Sequence, residues 1–352
     1  MKKSLLALAV LGAFVGAASA QSSVTVFGMV DLSVNRIENG SKKSTTMDNN
    51  QLNSNRLGFR GSEDLGGGLA ANFWLEGAMN NDDGGTAWTQ ARQSWVGLAG
   101  KWGEVRLGRD YTPVFRLLSA NDAWGANGFG NGSNLYAGKP IAALDPAATS
   151  ATTNKVNTLV RASNSLQYHL PSGLGGLYGQ FMGALGEGVN GSKYWGGRIG
   201  WAGGPIDVSA AYSETKIAPI AGDDKFKSWA IGGSFDFKAA KAYAHYGEYK
   251  AGGGKVKFYE LSGSVPLGAA EVRASYGELK DDDGDKVKNW GLEGIYNLSK
   301  RTAMYAQYGE LKVPAGAGGA WTLLPGASGP TPAEVASGFK SKAFGVGVRH
   351  IF

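Results

Sequence analysis

The sequence predicts an all-β protein, a closed antiparallel transmembrane barrel of about sixteen strands. Three observations carry that expectation. Short segments alternate apolar residues with small or polar ones, tight turns alternate with long polar connections, and one seven-residue pattern recurs at hairpin spacing.

The first segment shows the alternation. Val24, Val26, Val30, Leu32 and Val34 share one parity, while Met29, Asp31, Ser33 and Asn35 share the other. Successive side chains of an extended chain point to opposite faces, so these are the two faces of one strand. Leu57 and Phe59 alternate likewise with Arg56, Gly58 and Arg60, and Val272, Ala274 and Tyr276 with Arg273 and Ser275. The same rule places strands near 24–37, 52–62, 68–80, 89–100, 103–110, 156–170, 174–186, 192–202, 205–216, 226–238, 240–250, 255–266, 268–280, 286–298, 300–312 and 340–352. Gly66-Gly67, Pro171-Ser172-Gly173, Gly203-Gly204 and Leu267-Gly268 mark tight turns, and 38–51, 217–225, 281–285 and 313–339 read as longer connections.

The repeat supports the count independently. Segments 210–216, 244–250, 274–280 and 306–312 follow one Ala-x-Tyr-x-Glu-x-Lys pattern, with starts 34, 30 and 32 residues apart. That spacing is one hairpin with its turns, so the pattern recurs at one height on every second strand. Tyr212, Tyr246, Tyr276 and Tyr308 take the apolar parity and should form an aromatic girdle facing lipid. Closure follows from the backbone. In hydrocarbon every N–H and C=O must be paired within the protein, and a sheet achieves this only without edges. With sixteen strands the lumen is too wide for side chains to fill, and water fills it.

Composition narrows the class further. Lys2 and Lys3 precede an apolar run, Leu5–Val15, that ends in Ala18-Ser19-Ala20, so residues 1–20 read as a secretory signal peptide and 21–352 as the barrel. Cysteine is absent, and 56 glycines accompany only 11 prolines without a Gly-X-Y period. That balance disfavours a disulfide scaffold, collagen and disorder. Beyond the leader no stretch of 18 apolar residues exists, so no helix is expected to span a membrane.

Three stretches resemble the trimeric general porins of Gram-negative bacteria, most closely those of β-proteobacteria. Residues 55–69, NRLGFRGSEDLGGGL, are similar to the family's second hairpin. Residues 91–113, ARQSWVGLAGKWGEVRLGRDYTP, are similar to its fourth and fifth strands leading into an inward-folded loop 3. The end, Val346–Phe352, resembles its closing strand. Ile351 departs from the pattern, since many relatives carry a basic residue there. The resemblance implies short periplasmic turns, long extracellular loops, and loop 3 at about 111–155 narrowing the channel. It implies a general diffusion porin in the outer membrane, assembled as a homotrimer. The implied partners are outer-membrane lipid and lipopolysaccharide, a barrel-assembly machinery that reads Phe352, and small hydrophilic solutes and anions, with no cofactor.

The resemblance also implies a ladder of wall arginines at the narrowing, and Arg56, Arg92 and Arg161 occupy the matching places. Parity agrees for Arg56 beside Leu57 and Phe59, and for Arg161 against Leu166, Tyr168 and Leu170. For Arg92 parity leaves Gln93 pointing outward. Arg60 shares the inward parity of Arg56 and would lengthen the row. Glu76, inward with its strand, and Asp122 and Asp145 of loop 3 would oppose it, while Arg116 and Lys139 keep loop 3 from being strongly acidic. Arginine suits the role because it is charged at every relevant pH and holds its guanidinium rigidly. A row of such charges in a narrow passage draws in anions. Arg109, outward with Leu107, would meet a neighbouring subunit rather than lipid.

Other chemistries find little support. His169, His245 and His350 lie far apart without metal-ligand spacing, no G-x-S-x-G elbow occurs, and Gly128–Gly132 lacks the Lys-Ser/Thr of a phosphate loop. The sequence therefore predicts neither an enzyme nor a metal protein, and export makes nucleic acid a remote partner. A substrate-specific channel, or a structural or adhesin-like barrel, is the alternative. Inward Trp74, Tyr243 and Tyr249 are too scattered in the sequence to form an evident sugar track.

Overall fold

The computed structural model describes residues 23–85, 88, 91–136, 156–220, 222–315, 317, 321–324 and 329–352. The expected signal peptide, Lys139 and Asp145 lie outside the described residues. The strands are β1 (Ser23–Asn39), β2 (Lys42–Asn49), β3 (Arg56–Gly66), β4 (Leu69–Ala78), β5 (Ala91–Gly100), β6 (Gly103–Tyr111), β7 (Arg161–His169), β8 (Leu177–Ala184) and β9 (Tyr194–Gly203). The second half holds β10 (Ile206–Ile220), β11 (Asp223–Asp236), β12 (Lys241–Ala251), β13 (Gly254–Leu267), β14 (Ala270–Asp281), β15 (Lys286–Asn297), β16 (Thr302–Val313) and β17 (Phe339–Ile351).

Every pairing is antiparallel, and the sheet closes on itself where β1 meets β17, from Met29 opposite Ile351 to Asn39 opposite Ser341. Two backbone bonds of 3.0 Å between Gly28 and Phe352 complete the seam. Phe352 is therefore part of the wall, and the closed sheet presents no edge to hydrocarbon.

The wall has sixteen strands because β2 and β3 share one place in it. β1 pairs with β2 along its upper half and with β3 along its lower half. Between them the chain dips into the lumen. Asp31 on β1 fixes the dip: its Oδ2 accepts the amides of Leu52 and Asn53 at 2.6 Å each, and its own amide donates to Asn55 Oδ1 at 2.5 Å. The sequence reading of 38–51 as a long connection is corrected here. Most of it is strand, unrecognised because the exposed positions of β2 include Lys43 and Thr45 rather than a run of apolar residues. The 217–225 connection is likewise strand as far as Ile220 and again from Asp223.

The outward face carries the expected band, with Val24, Val96, Ile199, Leu261 and Val346 among its exposed residues. The repeat tyrosines also face out. Tyr212, Tyr246 and Tyr308 pack beside Trp195, Trp229 and Trp290 at 5.5, 5.5 and 5.2 Å between ring centroids, and Tyr276 lies 6.3 Å from Tyr259.

The inside is not uniformly wet. Helix α1 (Pro113–Ala120) and the single turn α2 (Ser133–Tyr136) belong to the loop after β6, and α1 lies against β9, β10 and β11. Leu117, Leu118, Phe129 and Leu135 from this loop pack with Phe258, Leu279 and Leu311 of the wall into one buried cluster. Fully burying such side chains stabilises by roughly 1.5–3 kcal/mol each, enough to hold the loop inside the barrel.

Candidate pore constriction

Loop 3 folds inward for local reasons. Pro113 stands in the first turn of α1 and presets its backbone, and the helix is amphipathic, with Val114, Leu117 and Leu118 against the wall. Asp122 turns the chain back, accepting the amides of Trp124 at 2.8 Å and Ala126 at 3.0 Å. Gly130 then passes against the wall, where its carbonyl accepts Ser275 Oγ at 2.5 Å. A side chain on Gly130 would collide with Trp124 and Ser275, so glycine is required by the close approach.

The arginines gather where this loop narrows the lumen. Arg56 Nη1 lies 3.3 Å and Arg92 Nε 2.6 Å from the same oxygen of Glu76. Arg92 Nη2 at 2.7 Å and Arg161 Nη2 at 3.0 Å both donate to the Tyr111 hydroxyl, and the Arg161 guanidinium lies 4.5 Å from that ring's centroid. Arg116 of α1 bonds Asp110 at 2.6 Å, and Arg198 of β9 donates to Tyr178 at 2.9 Å. Arg56, Arg92, Arg116, Arg161 and Arg198 line one cavity of about 590 Å³ together with Tyr111 and Phe115. Among the described residues, only Glu76 and Asp110 form ion pairs with the five, which leaves three formal positive charges uncompensated.

The parity difficulty at Arg92 is resolved by a bulge. The β4–β5 register slips between Glu76 and Gly77, so Gln93 stays with the inward Trp95 and Arg92 still reaches Glu76. Arg161 lines the cavity, although strict alternation does not carry through β7. The β6–β7 register slips between Gly108 and Asp110, and Asn164 takes a φ of 55°.

Three expectations need correction. Arg60 is inside the barrel but apart from the cluster, its guanidinium lying over Phe27 and Trp74. Glu76 does not oppose the arginines across the passage; it sits among them as their shared counter-charge, because β4 runs next to β3 and β5. Asp122 is buried, its carboxylate committed to the turn of loop 3 rather than to the passage. Arg109 does face outward, bonding Ser163 Oγ at 2.7 Å. Sequence reasoning missed Tyr111 and Arg198. The alternation of Arg198 with Trp195, Ile199 and Trp201 could have shown the second.

A membrane-spanning cylinder, narrowed by an inserted loop and lined there by charged side chains, defines a channel of the outer-membrane barrel class. Comparison with known proteins then gives the family. A family model described as Gram-negative porin matches residues 7–315, and the chain belongs to that family. It is 35% identical over 370 residues to outer membrane porin protein 32 of Delftia acidovorans, covering the whole of both chains. It is 29% identical over 287 residues to an outer membrane porin protein of Bordetella pertussis, spanning 70% of this chain and 69% of that one. Among solved structures, the anion-selective porin from Comamonas acidovorans superposes with a TM-score of 0.80 at 30% identity, covering 94% of this chain and 100% of that one. The protein is a porin of the bacterial outer membrane.

Proposed function

We propose that this porin is a general diffusion channel whose anion preference is set by Arg56, Arg92 and Arg161, joined by Arg116 and Arg198. The observation that carries the reading is the charge count at the narrowing, five guanidiniums against two carboxylates. In a narrow passage such an excess lowers the energy of an anion and raises that of a cation. The name of the Comamonas relative, an anion-selective porin, points the same way. No catalytic step enters this reading. The barrel in planar bilayers should show single-channel conductance that rises in proportion to salt. Saturation by one particular solute would instead favour a substrate-specific channel.

The partners follow from the outer surface. We infer a cleaved leader at residues 1–20, a homotrimer with Arg109 at the subunit contact, and recognition of Phe352 by the assembly machinery. Charge on the lipid face is costly in hydrocarbon, which favours a protein neighbour for Arg109. Contact with lipopolysaccharide is supported by cross-strand registers beyond the tyrosine girdle, where Lys227 faces Lys250, Lys257 faces Lys280 and Lys288 faces Lys312, each pair offset on one side by Glu214, Glu248 or Glu278. Like charges directly opposite one another destabilise a sheet, and the phosphates of a lipid headgroup layer would relieve what one glutamate per pair leaves. Cross-linking the purified barrel tests the trimer, and a species migrating only as a monomer would exclude it.

A further inference from the structure

Arg60 lies four residues below Arg56 along β3, roughly 13 Å toward the end with the short turns. Its guanidinium carbon sits 5.3 Å from the Phe27 ring centroid and 5.2 Å from that of Trp74. Phe27 and Trp74 are 4.8 Å apart, and Trp74 stands 6.5 Å from Trp95, whose face the Arg106 guanidinium covers at 3.9 Å. These residues are distant in sequence, but the registers Arg60 to Trp74 and Trp74 to Trp95 place them side by side on the lumen wall. Among the described residues no carboxylate lies within ion-pair distance of Arg60, which is exposed. Thr25 and Ser62 add hydroxyls to the cavity of about 270 Å³ that Arg60, Trp74 and Trp95 line, and Asn72 in the same wall donates to Glu104 at 3.0 Å.

A guanidinium with no carboxylate in reach among the described residues, resting on the shelf of the Phe27 and Trp74 rings, has two needs met by one kind of molecule. Its N–H fork donates side-on to a carboxylate, and the shelf accepts the face or edge of a ring. A small aliphatic acid satisfies only the charge. A neutral sugar or phenol satisfies only the shelf. An inorganic anion is served better by the five arginines above. We propose that this shelf is a subsite for aromatic carboxylates, of the benzoate class, below the constriction. The proposal rests on the anion-conducting reading and deepens it by naming a solute class. The aromatic wall holds the ring while Arg60 holds the carboxylate, and the solute meets this site on the periplasmic side of the narrowing.

The test uses the purified barrel in planar bilayers, with sodium benzoate, sodium acetate and neutral phenol added in turn to a chloride bath. Benzoate is expected to reduce chloride current with a half-effect concentration at least about fivefold below that of acetate, and phenol to have little effect. Arg60→Gln and Phe27→Leu should each abolish that difference, and Arg60→Lys should restore part of it. Trp74→Leu is a harsher variant because Trp74 Nε1 donates to Glu76 at 3.1 Å, so Phe27→Leu keeps the test independent of that bond. Equal action of benzoate and acetate on the wild type overturns the proposal, as does discrimination that survives both Arg60→Gln and Phe27→Leu. A cation-preferring wild type that still discriminates benzoate would overturn the constriction reading alone.

Discussion

Replacing Arg161 is the cleanest perturbation of the constriction, because its guanidinium donates to the neutral Tyr111 hydroxyl and no carboxylate is left bare when it goes. The magnitude follows from the cavity. An ion crossing this cavity of about 590 Å³ with one water layer between it and the wall comes to about 5 Å from a lining guanidinium. In water two unit charges at about 5 Å interact by about 0.8 kcal/mol, and screening at 0.1 M salt reduces this to about 0.5 kcal/mol. Removing one positive charge costs the anion that amount and gives the same to the cation, about 1 kcal/mol in their ratio, or roughly fivefold. Arg161→Gln should therefore lower the chloride-to-potassium permeability ratio about fivefold, and Arg161→Glu about thirtyfold. Arg60→Gln, roughly 13 Å away, should change the ratio by less than about twofold. Zero-current potentials in a salt gradient read all three. Equal shifts at Arg60 and Arg161, or none at Arg161, would refute the assignment of selectivity to this cavity.

Glu76→Gln should raise the same ratio by up to about fivefold, while costing about 3 kcal/mol of stability because Arg56 and Arg92 lose their shared counter-charge. Asp122→Asn should leave the permeability ratio within about twofold yet lower stability by about 1–2 kcal/mol, read as an earlier heat-induced shift in gel mobility. On the last extracellular loop, Glu334 in helix α3 (Pro332–Ser337) accepts the amides of Thr331 at 2.8 Å and Ser41 at 2.6 Å. Those bonds, the Thr331 amide first, pull its carboxyl down to about 2. A carboxyl lowered in the folded state stabilises this contact above its ordinary value near 4.5 and loses that contribution as pH falls toward about 2. Hydrogen exchange at Ser41, normalised to intrinsic rates, should therefore speed up over that window, and Glu334→Gln should show the faster exchange already at neutral pH.

The wall was legible in the sequence because lipid imposes a strict rule on it. Period-two alternation located all sixteen wall segments, and the repeat tyrosines took the lipid face as expected. Two things escaped. Where the hairpins carry polar outward residues, as in β2, alternation lost its contrast and strand read as loop. Where loop 3 covers the inside of β12 to β16, inward residues such as Tyr249, Phe258, Leu279 and Leu311 are apolar for packing, and alternation alone does not tell a loop-covered wall from a wet one. Of the five arginines lining the cavity, motif singles out Arg56, Arg92 and Arg161, parity agrees for Arg56 and Arg161 alone, and Arg198 was missed. Their counter-charges were not legible, since whether Glu76 sits beside or across from them depends on which strands are neighbours and where the register slips. Asp122 belongs to the same class: its sequence neighbours place it in loop 3 but do not reveal that its carboxylate closes a turn.

The central claim is that an excess of guanidinium charge at the narrowing, inside a sealed barrel, governs which ions cross. The zero-current potential of the unmodified protein across a tenfold potassium chloride gradient at neutral pH tests it most directly. Its sign should correspond to chloride crossing more readily than potassium. A potential of the opposite sign, with potassium favoured, would contradict the account.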